Sequence, residues 1–232
     1  YEDVSFAGTK DLNTPAIDAL REEGMRFTYF YTNSPVCAPT RASIMTGKNP
    51  DRVGVPGLIR TNPKNNWGFL DPTVILLPKR LKEAGYHTAH IGKWNLGLSS
   101  PNLPNQKGFD LFHGWLEDMM EDYVIKRRVG QNFMRLNEKE IDPVGHATDL
   151  FSKWAADYIQ SRKNIEEPFF VALKSTKQRG PDTRLAAAFP EVVCWLYRQS
   201  YSCECCLELL DRNFAMPNSR VIDINGILTK TF

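Results

Sequence analysis

Read as a pattern of apolar and polar positions, the chain alternates between two rhythms. Ile17 and Leu20 stand three residues apart behind Thr14-Pro15, and Gly24 follows. Thr is a good helix cap, Pro is tolerated in the first turn and Gly closes the last, so a helix is predicted over residues 14–24. A second is predicted over 74–84, with Pro78 pulling its start inward. The longest lies over 147–163, where Leu150, Phe151, Trp154, Ala155, Tyr158 and Ile159 form an apolar stripe at helical spacing. Between these fall short runs without helical period: "MRFTYFYT" at 25–32, "YHTAHIG" at 86–92 and "PFFVAL" at 168–173. Each reads as a strand, the last as a central one covered on both faces. A short helix opened by Pro39 and ended by Gly47 is predicted after the first strand.

Helices alternating with short apolar strands predict an α/β fold, a largely parallel central sheet flanked by helices. In such sheets, sites collect at the carboxyl ends of the strands. The two loops that follow predicted strands, at Cys37 and at Lys93, are thereby placed on one rim. The long loops containing "NNWGFLDP" and "SSPNLPNQKGFD" are expected to line the pocket. After residue 176 the periodicity weakens and Cys194, Cys203, Cys205 and Cys206 cluster. The chain is accordingly divided into a domain over 1–175 and a divergent segment over 176–232.

Composition changes this picture little. The 232 residues are 42% hydrophobic and 24% charged, with a formal net charge of +2, enough for one substantial core. That charge balance argues against a dedicated nucleic-acid binder. The densest basic run, Lys126-Arg127-Arg128, reads as a solvated face. No apolar run approaches the ~18 residues of a membrane-spanning helix. The chain opens on Tyr1 with no visible signal peptide.

Chemistry enters with Cys37. A cysteine nucleophile needs a histidine base, for which His87, His90, His113 and His146 are all candidates. A zinc site would need further Cys or His at short spacing, and none is near. A buried inert thiol is the ordinary alternative. In the tail, the Cys-x-Cys-Cys spacing does not suit a zinc knuckle; disulfides or an aberrant chain end remain.

The wider spelling resolves Cys37. "CAPTR" followed by "ASIMTGKNPDRVGV" resembles the first signature of the sulfatase family, and "GYHTAHIGKWNLG" at 85–97 the second. The flanking text over residues 1–175 is similar too. The resemblance implies that Cys37 is oxidised by a formylglycine-generating enzyme to formylglycine, whose hydrate attacks the sulfur of a sulfate ester; its second hydroxyl then expels sulfate. Arg41 would support the ionised hydrate, Lys93 would bind sulfate oxygens, and the N-terminus of the helix behind residue 37 would favour an anion. The family fold, a calcium ion, sulfated small molecules or glycans as substrates, and a secreted, periplasmic or lysosomal site are implied likewise.

Three departures stand out. Asn95 occupies the place of a family histidine and cannot act as an acid or base near neutral pH. The family's Asp-Asp calcium pair falls before Tyr1, so Asp3 is no ligand, and Cys37 as formylglycine is the one metal ligand left. The strand matching "PFFVAL" runs into "KSTKQRGP" with no histidine, and "VIDINGIL" at 221–228 matches the later Asp-Asn strand weakly. A non-catalytic sulfatase-like chain with a binding role or none is therefore the alternative. A phosphatase or phosphotransferase of the wider superfamily is a third, less apt because those relatives use Ser or Thr as nucleophile.

Overall fold

The computed structural model describes residues 4–8, 13–24, 31–62, 64, 68–174, 193–197 and 220–223. Its helices are α1 (Pro15–Glu23), α2 (Cys37–Thr46), α3 (Leu77–Glu83) and α4 (Ala147–Arg162). Its strands are β1 (His87–Lys93), β2 (Leu111–Trp115), β3 (Met134–Leu136), β4 (Lys139–Glu140), β5 (Phe169–Lys174), β6 (Val193–Tyr197) and β7 (Arg220–Asp223). The strands form a single sheet in the order β4-β3-β2-β1-β5-β6-β7.

The α/β expectation holds. The central trio β2-β1-β5 is parallel, while β3-β4 on one side and β6-β7 on the other extend it antiparallel. Parallel pairing requires long crossovers covering the faces, and the residues comply. In β1 every position from Thr88 to Lys93 is buried, and in β5 all but Leu173. Helix α4 buries Phe151, Ala155, Tyr158 and Ile159. Its Tyr158 hydroxyl lies 2.8 Å from His87 Nδ1, and its Trp154 stacks on His113 of β2 at 3.4 Å between ring centroids.

Boundaries moved for local reasons. Helix α2 begins at Cys37 rather than Pro39, because Val36 is still extended and Thr40 N–H already bonds the Val36 carbonyl. Gly47 closes it in the left-handed region, φ 68°. Seven of its ten residues are buried, small side chains among them, so it carries no amphipathic stripe and only its punctuation is visible in the sequence. Helix α3 starts at Leu77, one residue before Pro78. Thr14 precedes α1 without capping it; its hydroxyl accepts Ser5 N–H instead. Strand β1 runs on through Lys93. Strands β2, β3 and β4 carry no legible pattern, being two to five residues long. The predicted strand at 25–32 lies mostly outside the described residues, as do Cys203, Cys205 and Cys206; Cys194 falls in β6, opposite Ala172 of β5.

The basic run is a correction. Lys126 is 2% exposed and not solvated. Its ammonium donates to the carbonyls of Val124 and Gly145, satisfying backbone acceptors in a tight loop. Arg127 pairs with Asp142 and Arg128 with Glu121.

Acid should weaken this core in a defined window. Burial pushes the His113 imidazole from 6.5 down to about 4. Burial lowers His87 as well, and His90 well below its ordinary value. With folded pKa values below the unfolded ones, the unfolded chain takes up protons first. Stability is full above 6.5 and declines as pH falls towards about 4. Urea unfolding at pH 7.5 and pH 5 should show a lower midpoint at pH 5, and His113→Phe should reduce that difference. An unchanged difference would show that His113 does not titrate with unfolding.

Candidate active site

The site lies where β1 and β2 end. Beyond the strands their chains continue side by side: Trp94 N–H bonds the Trp115 carbonyl at 2.8 Å and Asn95 N–H the Leu116 carbonyl at 3.0 Å. This carries Lys93 and Asn95 past the carboxyl edge beside Glu117 and Asp118. Helix α2 meets the same edge with its first residue. Val36 supplies no side-chain cap, Pro39 has no N–H and Thr40 N–H bonds the Val36 carbonyl, so the anion-favouring donors of this helix start are those of Cys37 and Ala38.

Three side chains converge. The Lys93 ammonium donates to Asp118 Oδ1 at 2.9 Å, and the Cys37 thiol donates to the same oxygen at 3.3 Å. Lys93 and Asp118 are 8% and 7% exposed, so water screens their ion pair little. Arg41, also buried, sends Nη1 to the Lys93 carbonyl at 2.7 Å, tying α2 to the end of β1. His90 Nε2 lies 3.0 Å from that carbonyl. Arg41 thus braces the lysine backbone in addition to facing Cys37 with its charge. Burial raises the Cys37 thiol above its ordinary value, against the smaller opposing pull of Lys93. A thiol held protonated is a poor sulfur nucleophile.

All four histidines are engaged elsewhere, which leaves the thiol-nucleophile reading without its base. His87 meets Tyr158, His90 meets Lys93 O, His113 stacks on Trp154, and His146 caps α4 by accepting Thr148 N–H. Asn95 is fully buried with φ 57°, a left-handed conformation that Asn tolerates. Its amide donates to the Ile59 carbonyl at 3.2 Å, while Oδ1 has no hydrogen-bond partner. The structure therefore brings Cys37, Arg41 and Lys93 together and turns the Asn95 NH2 group towards a neighbouring loop.

Asp118 is the residue that sequence reading passed over. Its only signal is an acidic pair just beyond a strand too short to recognise. Its neighbour Glu117, 1% exposed, accepts Thr61 N–H at 3.1 Å and Met119 N–H at 2.9 Å. The stretch 59–61 is thus the loop that touches the site residues. The expected pocket loops brace one another: Asn102 donates to the Leu70 carbonyl at 2.8 Å and accepts Trp94 Nε1 on its own carbonyl at 3.0 Å.

Among the described residues, no group of three or more His, Cys, Asp or Glu side chains could hold a metal ion. At Asp118 the lysine ammonium already meets the carboxylate. The described residues do not fit a calcium site. No described helix is long and apolar enough to cross a membrane.

A cysteine at a helix start, a buried lysine at a strand end and an arginine bonded to the lysine's carbonyl meet on the rim of an α/β sheet. The sulfatase family model matches residues 1–178. The chain belongs to the sulfatase family. It is 35% identical over 190 residues to N-acetylgalactosamine-6-sulfatase of Homo sapiens, covering 74% of this chain and 36% of that protein. It is 32% identical over 183 residues to the uncharacterized sulfatase YidJ of Escherichia coli (strain K12), covering 75% and 35%. Among solved structures, Ps i-CgsB in complex with k-i-k-neocarrahexaose matches with a TM-score of 0.69 at 29% identity, over 78% of this chain and 43% of that one. The chain spans about a third of the length of the curated relatives it matches.

Proposed function

We propose that the chain carries the nucleophile half of a sulfate-ester hydrolase, with Cys37 converted to formylglycine and a sulfated carbohydrate as substrate. The observation that carries the reading is the meeting of Cys37, Lys93 and Arg41 at the strand ends, spelled within both family signatures. In that reading Cys37 Sγ stands in for the hydroxyl oxygens of the hydrated aldehyde. One hydroxyl attacks sulfur while the ester oxygen departs with its alcohol. The second loses its proton, the carbon–oxygen double bond reforms, and sulfate leaves. Lys93 stabilises charge on the sulfuryl oxygens, and Arg41 holds the backbone from which Lys93 projects. The first-turn N–H groups of α2 favour the ionised hydrate. The carbohydrate assignment rests on a relative named N-acetylgalactosamine-6-sulfatase and on a similar structure solved in complex with k-i-k-neocarrahexaose. A secreted, periplasmic or lysosomal location is part of the same proposal.

A catalytically silent sulfatase-like chain is the second reading. It is favoured by the Asn95 amide, which meets Ile59 in place of a proton-carrying imidazole. Mass spectrometry of the peptide containing Cys37, after co-expression with a formylglycine-generating enzyme, separates the two. The aldehyde, trapped as a hydrazone, is the expected product. A thiol in every preparation would overturn the catalytic reading.

A further inference from the structure

We infer that Asp118 is a charge-selecting residue, whose carboxylate shifts the relative affinity of the site towards singly charged sulfate esters and away from doubly charged phosphate monoesters. The inference rests on the reading of the site as an ester-binding centre. Its basis is that one oxygen, Asp118 Oδ1, accepts from both the Lys93 ammonium and the Cys37 thiol. An ester oxygen that reaches Lys93 beside residue 37 must therefore lie next to that carboxylate. The Asp118 side chain is 9% exposed, so little water weakens the repulsion.

The surrounding charges leave the carboxylate effective. Lys93 is opposed by Asp118 itself. Arg41 donates from Nη1 to the neutral Lys93 carbonyl and keeps its charge; wild type and the variants at 118 all retain it, so the Asp118 contribution is read on its own. Glu117 adds a second negative charge behind Asp118, its oxygens taken by Thr61 and by Met119 N–H. Near pH 8 a sulfate monoester carries one negative charge. A phosphate monoester, with its second pKa of about 6, carries close to two. Repulsion from a fixed charge scales with ligand charge, so doubling it squares the factor lost in affinity. If Asp118 weakens a sulfate ester about fivefold, it weakens a phosphate ester about twenty-fivefold. A neutral residue at 118 would leave an anion site open to both. Here the acidic side chain weakens the doubly charged ester more than the singly charged one.

The test is equilibrium binding of phenyl sulfate and phenyl phosphate at pH 8, by calorimetry, with Cys37 left as the thiol so that nothing turns over. Wild type is compared with Asp118→Asn and, in case the amide disturbs the fold, Asp118→Ser; circular dichroism checks both. Phenyl phosphate should tighten by about the square of the factor for phenyl sulfate, at least several-fold more. An equal change for the two esters, or none, in a folded variant overturns the inference. So does failure of every protein to bind either ester. Aldehyde formation at Cys37 is measured separately. Aldehyde with turnover of phenyl sulfate, but an unchanged ratio, sinks the charge selection and leaves the hydrolase standing. A thiol in every sample together with no ester binding sinks both.

Discussion

Alanine at Gly92 is expected to destabilise the protein by about 3–5 kcal/mol, combining left-handed backbone strain with a collision that neighbouring strands cannot relieve. Gly92 sits at φ 95°, and a Cβ there would lie 2.0 Å from the Lys174 carbonyl oxygen of β5. In register it stands between Gly114 of β2 and Lys174 of β5. A Cβ on Gly114 would in turn meet the Gly92 carbonyl oxygen at 2.0 Å. The three parallel strands touch backbone to backbone at this row, one residue before Lys93. Gly85→Ala is the control, because its φ is 85° but nothing lies within 4 Å of the added carbon. It should show only the backbone strain, about 1–2 kcal/mol. Urea unfolding of the two variants isolates the collision; equal midpoints would show that the row can open without penalty.

The second large effect is expected at Lys93. Replacing it with Met leaves the Asp118 carboxylate buried without its cation, and breaking a buried pair from one side costs about 3–5 kcal/mol. Adding Asp118→Leu to Lys93→Met should recover most of that loss, because an apolar pair of similar size removes both desolvated charges. The double-mutant cycle in urea measures the coupling. A Lys93→Met protein as stable as wild type would mean that the ion pair contributes nothing to the fold. If the chain hydrolyses sulfate esters, Lys93→Met in aldehyde-bearing protein should also lower kcat about a hundredfold or more, as the loss of one preorganised cation does elsewhere.

These two positions are adjacent in sequence and differ in how visible they are. Lys93 is legible from the spelling around it. The glycine before it reads as mere punctuation until the register of three strands shows what it must avoid. The same contrast runs through the rest of the molecule. Helix α4 is legible because its apolar residues recur at helical spacing and face one way. Helix α2 is legible only through Pro39 and Gly47 at its ends, because it is buried almost all round and a helix without a polar face has no period to read. Lys126 reads as a surface charge, yet it is folded inward to serve two carbonyls, a role set by loop geometry.

The α/β class, helix α4, the strands β1 and β5, and Cys37, Arg41 and Lys93 as a group were legible in the sequence itself. Local rules of period and capping and the two short motifs act over a few residues. Only the tertiary structure decided that Asp118, 25 residues beyond Lys93, lies against both the lysine and the cysteine. It also decided that Arg41 braces the lysine backbone and that the Asn95 amide turns to Ile59. Those contacts join separate strands and loops at the sheet edge. They depend on parallel register and on the close approach permitted at Gly92 and Gly114, which no local pattern along the chain encodes.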